Sequence, residues 1–149
     1  MIKESFEINV EMSFYVHATE DKQKLFDKIK LIFNLPSETF KENVFEGHHG
    51  NPIIKYTAYL KGSQAKHVLE VIFKSLDPVD KNILLENIEK RIDEHKNLYL
   101  RIDKSSLFNK NFFKLDGSNV IHFKLLPKNK NVRNTKNFYK NFIMVLERD

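Results

Sequence analysis

The sequence predicts an α+β fold, a two-layer sandwich of a mostly antiparallel or mixed sheet with helices on one face. Three observations predict it. Residues 6–16 alternate apolar and polar without a break. Apolar residues elsewhere recur at helical spacing in four separate segments. The two patterns follow one another in the order β-α-β-β-α-α-β-β-α, with no internal repeat and no low-complexity linker. Alternating strands leave one sheet face wet, so the helices are expected on the other face only.

Each element has its own signal. In 6–16, Phe6, Ile8, Val10, Met12, Phe14 and Val16 share one side of a period-two strand. Thr19 is placed to cap a helix with Glu20 and Asp21 in its first turn. Leu25, Ile29, Ile32 and Phe33 form its stripe and Pro36 ends it. A second strand is expected over 38–45 and a third over 53–60, joined by the turn Gly47-His48-His49-Gly50-Asn51-Pro52. Ser63 is a candidate cap for a helix carrying Val68, Leu69, Ile72, Phe73 and Leu76. The "DPVD" turn leads to a third helix with Ile83, Leu84, Leu85, Ile88 and Ile92. Strands follow at 98–104 and 120–126, and a helix at 131–148 carries Phe138, Tyr139, Phe142, Ile143, Val145 and Leu146 on one side. We expect one domain over 1–149, which at this length hides roughly 68–70% of its unfolded surface.

Composition narrows the function classes. Hydrophobic residues are 41% and charged residues 30% of the chain, and no apolar run nears the roughly 20 residues that span a bilayer. No membrane association is expected, and a cytoplasmic location is the simplest expectation. The absence of cysteine excludes disulfides, thiolate metal sites and cysteine nucleophiles. The net charge of +5 is uneven: residues 96–140 hold eleven Lys/Arg against two Asp/Glu. Such asymmetry suits an anionic partner, and equally suits basic loops that keep a protein soluble.

Catalytic patterns are missing. There is no HExxH, no GxSxG and no glycine-rich phosphate loop. His48 and His49 are adjacent, without the third and fourth ligands that zinc needs, so a turn residue between glycines is the plain reading. Asn51-Pro52 and the glycines have a mechanical explanation in a tight turn that feeds a strand. Glu7 and Glu11 share one strand face roughly 13 Å apart, too far for an acid–base dyad. No enzyme activity and no cofactor are expected. A hydrolase that uses His48 or His49 with a distant acid would need a polar cluster that only the fold can supply.

The wet sheet face is richer. It is expected to carry Ser13 and Tyr15, then Lys55, Thr57 and Tyr59, then Tyr99 and Arg101, then His122 and Lys124. Tyrosines between cations stack bases and neutralise phosphates, although strands favour Tyr and Thr for ordinary reasons. The candidate RNA-binding residues are His48, His49, Asn51, Lys55, Tyr99, Arg101, Lys104, Lys110, His122 and Lys124, with Arg133, Lys136 and Lys140 on the last helix opposite its core stripe.

At "GHHGNP" and "YLRIDK" the sequence resembles a family of small archaeal RNA-binding proteins described as predicted exosome-associated subunits. The matching positions are Gly47, His48, Gly50, Asn51 and Pro52, then Tyr99, Arg101, Asp103 and Lys104. The resemblance covers about 5–127 and leaves the last helix outside. His49 stands where the family has an aromatic residue, and Ser105 where it has glutamine. The resemblance implies RNA binding without catalysis, in RNA processing or exosome-mediated decay. It also implies a fold related to a ribosomal protein that contacts 5S rRNA. Partners so implied are RNA and possible exosome or other processing proteins. The alternative reading is a protein-interaction module, such as a homodimer formed through an exposed sheet.

Overall fold

A computed structural model describes residues 6–47, 50–109 and 111–148. Five strands, β1 (Ile8–His17), β2 (Lys41–Glu46), β3 (Pro52–Leu60), β4 (Leu98–Asp103) and β5 (Val120–Pro127), form one sheet in the order β2-β3-β1-β5-β4. Every neighbouring pair is antiparallel. Among the described residues four α-helices accompany it: α1 (Lys22–Phe33), α2 (Gly62–Ser75), α3 (Pro78–Glu86) and α4 (Thr135–Arg148). The expected element order and α+β layering are what the structure has.

β1 is central, hydrogen-bonded to β3 on one side and β5 on the other. Its Ile8, Val10, Met12, Phe14 and Val16 are buried. They meet Leu25, Phe26, Ile29 and Phe33 of α1 and Val68, Leu69, Ile72 and Phe73 of α2 in one apolar cluster. Tyr139, Ile143 and Leu146 of α4 belong to the same cluster, so the last helix completes the core. The buried Tyr139 hydroxyl donates to the Lys96 carbonyl at 2.6 Å, which satisfies the one polar atom that its ring carries inward. Phe14, Phe26, Phe40 and Tyr56 pack around one another with ring centroids 4.8–5.7 Å apart, mostly edge to face.

Local details depart from the sequence expectations at element ends. Asp21, not Thr19, caps α1, accepting from the Lys24 N–H at 3.0 Å. The freed Glu20 turns elsewhere, as described below. α2 begins at Gly62 after Lys61, with no side-chain cap from Ser63. The third helix stops at Asn87 and gives way to a 3-10 turn over Ile88–Arg91. The second strand starts later than expected, because Ser37–Thr39 also form a 3-10 turn. The last helix starts at Thr135 rather than 131, leaving Arg133 in the preceding loop.

The glycines of the 47–52 turn have steric causes. A Cβ on Gly47 would lie 2.5 Å from the Asn51 carbonyl oxygen, which the Gly47 N–H itself bonds at 2.8 Å. Gly50 has φ 76°, a left-handed conformation that costs other residues energy. His48 and His49 lie outside the described residues.

Replacement of Phe14 by Ala should remove the centre of the aromatic cluster without polar compensation. The expected loss is about 3–5 kcal/mol of unfolding free energy, read as a lower urea midpoint at unchanged slope.

Candidate nucleic-acid interface

The face of the sheet away from the helices carries two cross-strand rows. One runs Lys41, Thr57, Ser13, His122, Arg101 across all five strands. The other runs Tyr59, Glu11, Lys124, Tyr99 across β3, β1, β5 and β4. Between the β2 and β1 positions of these rows and the strand ends stand Asn43, Lys55 and Tyr15, also in register. Tyr15, Tyr59 and Tyr99 are exposed. The Lys55 ammonium sits 5.6 Å from the Tyr15 ring centre, and that of Lys124 5.6 Å from the Tyr99 ring centre. These are cation–π distances, so the rings and charges already form pairs on the surface.

Two shallow hollows open on this face, and His122 lines both. The first, of about 250 Å³, is bounded by Tyr15, His17, Phe45, Ile53, Ser118, Asn119, Val120 and His122. The second, of about 340 Å³, lies between Lys90, Arg91, Asp93, Tyr99, Arg101 and His122. Burial lowers the His122 pKa, and the nearby charges of Arg101 and Lys55 lower it further, so the imidazole is neutral at pH 7.

Asp116 sits at the edge of the second hollow in a left-handed turn, φ 64°. Arg91 binds it in bidentate fashion, Nη1 to Oδ1 at 3.2 Å and Nη2 to Oδ2 at 2.8 Å. Arg101 adds Nε to Oδ1 at 3.1 Å and Nη2 to Oδ1 at 3.0 Å. The Arg91 guanidinium beside Asp116 holds its carboxyl below the usual range against an opposing effect of burial. Arg101 remains half exposed, with a side chain at 52%. A guanidinium has five N–H donors, so Arg101 is fixed in direction and still has donors facing solvent.

Not every predicted cation reaches this face. Lys104 is a correction. It is 5% exposed, and its ammonium is held by the Tyr15 carbonyl and by the Glu20 carboxylate at 3.1 and 3.3 Å. Glu20 in turn accepts from the His17 N–H at 3.0 Å and from the Asn119 amide at 3.2 Å. Burial raises the Glu20 carboxyl, but these donors outweigh it and leave the group more acidic than usual. Tyr15, His17 and Asn119 all line the first hollow, so the pair fixes its wall.

The basic window 96–140 likewise does not gather in one place. Lys96 donates to the Val132 carbonyl at 3.0 Å, and Lys130 to the His95 carbonyl at 2.9 Å, which pins the 128–132 loop. Lys114 pairs with Asp77, and Lys136 with Glu89 at 3.1 Å. Lys136 and Lys140 belong to α4, whose buried side joins the core beneath the sheet, so they stand on the other layer from Arg101 and Lys124. Arg133 is exposed in the loop before that helix. Lys110 lies outside the described residues, as do His48 and His49. Asn51 is exposed at the entry to β3, its carbonyl engaged by Gly47. Thus Lys55, Tyr99, Arg101, His122 and Lys124 come together, whereas Lys104, Arg133, Lys136 and Lys140 do not join them. Sequence reading missed His17, Phe45, Arg91 and Asp116; the alternation of β2 and β1 places Phe45 and His17 on the wet face, but only the sheet register brings them side by side.

Among the described residues no group of three or more His, Asp or Glu side chains is placed to hold a metal ion. No helix among them is long and apolar enough to cross a membrane.

Comparison with known proteins adds the family. The family model described as RNA binding matches residues 9–127. The chain belongs to this RNA-binding family. Among its relatives, the RNA-binding protein PAB1135 of Pyrococcus abyssi is 30% identical over 127 residues, 80% of this chain and 81% of that protein. The uncharacterized protein MJ0213 of Methanocaldococcus jannaschii is 32% identical over 133 residues, 82% of this chain and 89% of that one. The fold is similar to that of protein SSO0741 from Sulfolobus solfataricus, a DUF54 protein. Its crystal structure superposes with a TM-score of 0.69 at 25% identity, covering 92% of this chain and 98% of that one. The match to the family model ends at β5, so α4 lies beyond it although it helps to build the core.

Tyr99 also reports on pH. Burial pushes the Asp93 carboxyl up, but the Asn97 N–H, the Tyr99 hydroxyl at 2.8 Å, the Asn97 amide and the His95 N–H together bring it down to about 2. A depressed carboxylate stabilises the fold above its unfolded pKa of 3.8, and the contribution is lost as pH falls toward 2. Tyr99→Phe should therefore raise the Asp93 carboxyl toward its ordinary value and move the acid-unfolding midpoint up, as read by carbon-detected NMR titration and circular dichroism.

Proposed function

We propose that the chain binds RNA through the open face of its sheet and performs no catalysis. The observation that carries this reading is the pairing of exposed tyrosines with cations in register across the strands, Lys55 by Tyr15 and Lys124 by Tyr99, beside the half-free Arg101. Such a surface offers π-faces for bases and charges for phosphates at the same spacing. Membership of the RNA-binding family and the name of the Pyrococcus relative support it. We further propose that the role lies in RNA processing or exosome-mediated decay and that the fold is related to a 5S-rRNA-contacting ribosomal protein. Both rest on the family resemblance at Asn51-Pro52 and at Tyr99 through Lys104. The place of action would be the cytoplasm.

The expected affinity is salt-dependent. If Lys55, Arg101 and Lys124 each neutralise one phosphate, the log–log slope for a single strand is about −2. Arg101→Ala and Lys124→Ala should each flatten it by about 0.7 and weaken binding at low salt, measured by fluorescence anisotropy. A slope near zero in the unaltered protein would defeat the proposal.

One observation favours a second reading, a homodimer or protein-interaction module. β2 is an edge strand whose six residues are all exposed, including Val44 and Phe45. An uncapped edge of this kind offers its backbone for strand pairing. Sedimentation velocity over a hundredfold concentration range should then show dimers that Val44→Lys abolishes, with no affinity for RNA.

A further inference from the structure

We infer that the hollow between Tyr15, Phe45, Ile53 and His122 takes a single unpaired nucleobase of a bound RNA, whose adjoining phosphates lie against Lys55 and Arg101. The inference rests on the RNA-binding reading and names the nucleotide form that the site accepts.

The hollow's lining decides the chemistry of its occupant. It is lined by the aromatic residues Tyr15 and Phe45, by Ile53 and Val120, and by the polar residues His17, His122, Ser118 and Asn119. Among the described residues no Asp, Glu, Lys or Arg lines it. Such a site prefers a flat, uncharged group with polar edges. At about 250 Å³ it is slightly smaller than the roughly 300–1,000 Å³ of pockets for drug-sized ligands. That volume has room for one ring system.

The charges stand just outside. Lys55 faces Tyr15 from the neighbouring strand, and Arg101 is directly opposite His122 on β4. A neutral flat group with anionic groups on both sides is a nucleotide within a chain. Tyr15 and Phe45 are 40% and 49% exposed, so both present ring surface to solvent, while the Lys55 ammonium sits over the Tyr15 ring. His122, neutral at pH 7, has both a donor and an acceptor nitrogen to present to a base edge. A base inside a duplex cannot enter, because its faces are covered by its neighbours.

The test uses the full chain and three RNA probes of equal length: a single strand, the same strand with one abasic position in each register, and its duplex. Affinities are measured for the unaltered protein, Tyr15→Ala, Tyr15→Phe and Phe45→Ala, each checked for folding by circular dichroism. Tyr15 and Phe45 are surface residues of the open face, and Tyr15 binds Lys104 through its backbone carbonyl, so that bond survives the substitution. The expected result is that the single strand binds better than the duplex, that Tyr15→Ala weakens it roughly five- to 150-fold, and that Tyr15→Phe restores it. The abasic strand should bind the unaltered protein as weakly as the intact strand binds Tyr15→Ala. Adenosine and uridine monophosphates should shift the NMR signals of Tyr15, Phe45 and His122 at millimolar concentration.

Equal binding of intact and abasic strands, or tighter binding of the duplex, would overturn the nucleobase site while leaving RNA binding intact. Binding of the monophosphates without any binding of the oligonucleotides would overturn the commitment to RNA. No binding of any probe by the unaltered protein would remove the RNA-binding reading and this inference together.

Discussion

The pair of buried Lys104 and half-buried Glu20 is the constraint on which the open face depends. It joins the end of β4 to the turn between β1 and α1, residues 84 positions apart. Pairs of this kind contribute little net stability, because both charges give up water to form them. Their value is geometric. Glu20 also receives the His17 N–H and the Asn119 amide, and Lys104 also reaches the Tyr15 carbonyl. The Lys104 N–H bonds the Asn119 carbonyl at 3.0 Å. β1, the β1–α1 turn, the residue after β4 and the residue before β5 are thereby held together where the first hollow opens. Loss of either partner would leave the other charge without compensation and let the wall of the hollow drift.

A second lock works in the same way on the opposite flank. Asp116 could have been a competitor for phosphate in the fork of Arg91 and Arg101. Its geometry argues for orientation instead. Arg91, 18% exposed in its side chain, takes both carboxylate oxygens and is the structural half of the pair. Arg101 uses only Oδ1 and stays half in solvent. The carboxylate therefore limits the rotamers of a long side chain whose ordering would otherwise cost entropy on binding. The turn that presents Asp116 is itself anchored, since the Asp116 N–H donates to the Arg101 carbonyl at 2.8 Å.

The sequence made the layers legible and the site only in part, and the reason is physical. Period-two alternation in β1 and β5 is local, so Tyr15 and Lys124 could be assigned to the wet face from their neighbours alone. That Tyr99 and Lys124 are cross-strand partners follows from register, which local pattern does not specify. Lys104 shows the limit most clearly. A lysine after a strand in a basic window reads as a solvent cation, yet its partner is a glutamate near the N-terminus that the sequence made a first-turn helix residue. Only the closing of the sheet brings the two together. Charge counted along the chain fails for the same reason: Lys96, Lys114 and Lys130 are adjacent to the site in sequence but are spent on internal oxygens.

The distribution of charge across the open face then sets a direction. In the row Tyr59, Glu11, Lys124, Tyr99 the carboxylate of Glu11 lies directly opposite Lys124 and cancels part of its field. The row Lys41, Thr57, Ser13, His122, Arg101 itself holds no carboxylate, the Asp116 bonded to Arg101 is shared with a second cation, Arg91, and Lys55 and Tyr15 lie alongside the row. Exposed charges further apart than about 8–10 Å are largely screened at physiological salt, so the nearest neighbours dominate. A polyanion crossing the sheet is favoured along the second row, from Lys41 and Lys55 on one edge to Arg101 on the other. That path passes over His122 and the mouth of the first hollow, whereas the first row, with Glu11 at its centre, repels it. The same strand that builds the core on one face thus carries, at Glu11 and at Ser13, the difference between an unfavourable and a favourable track on the other.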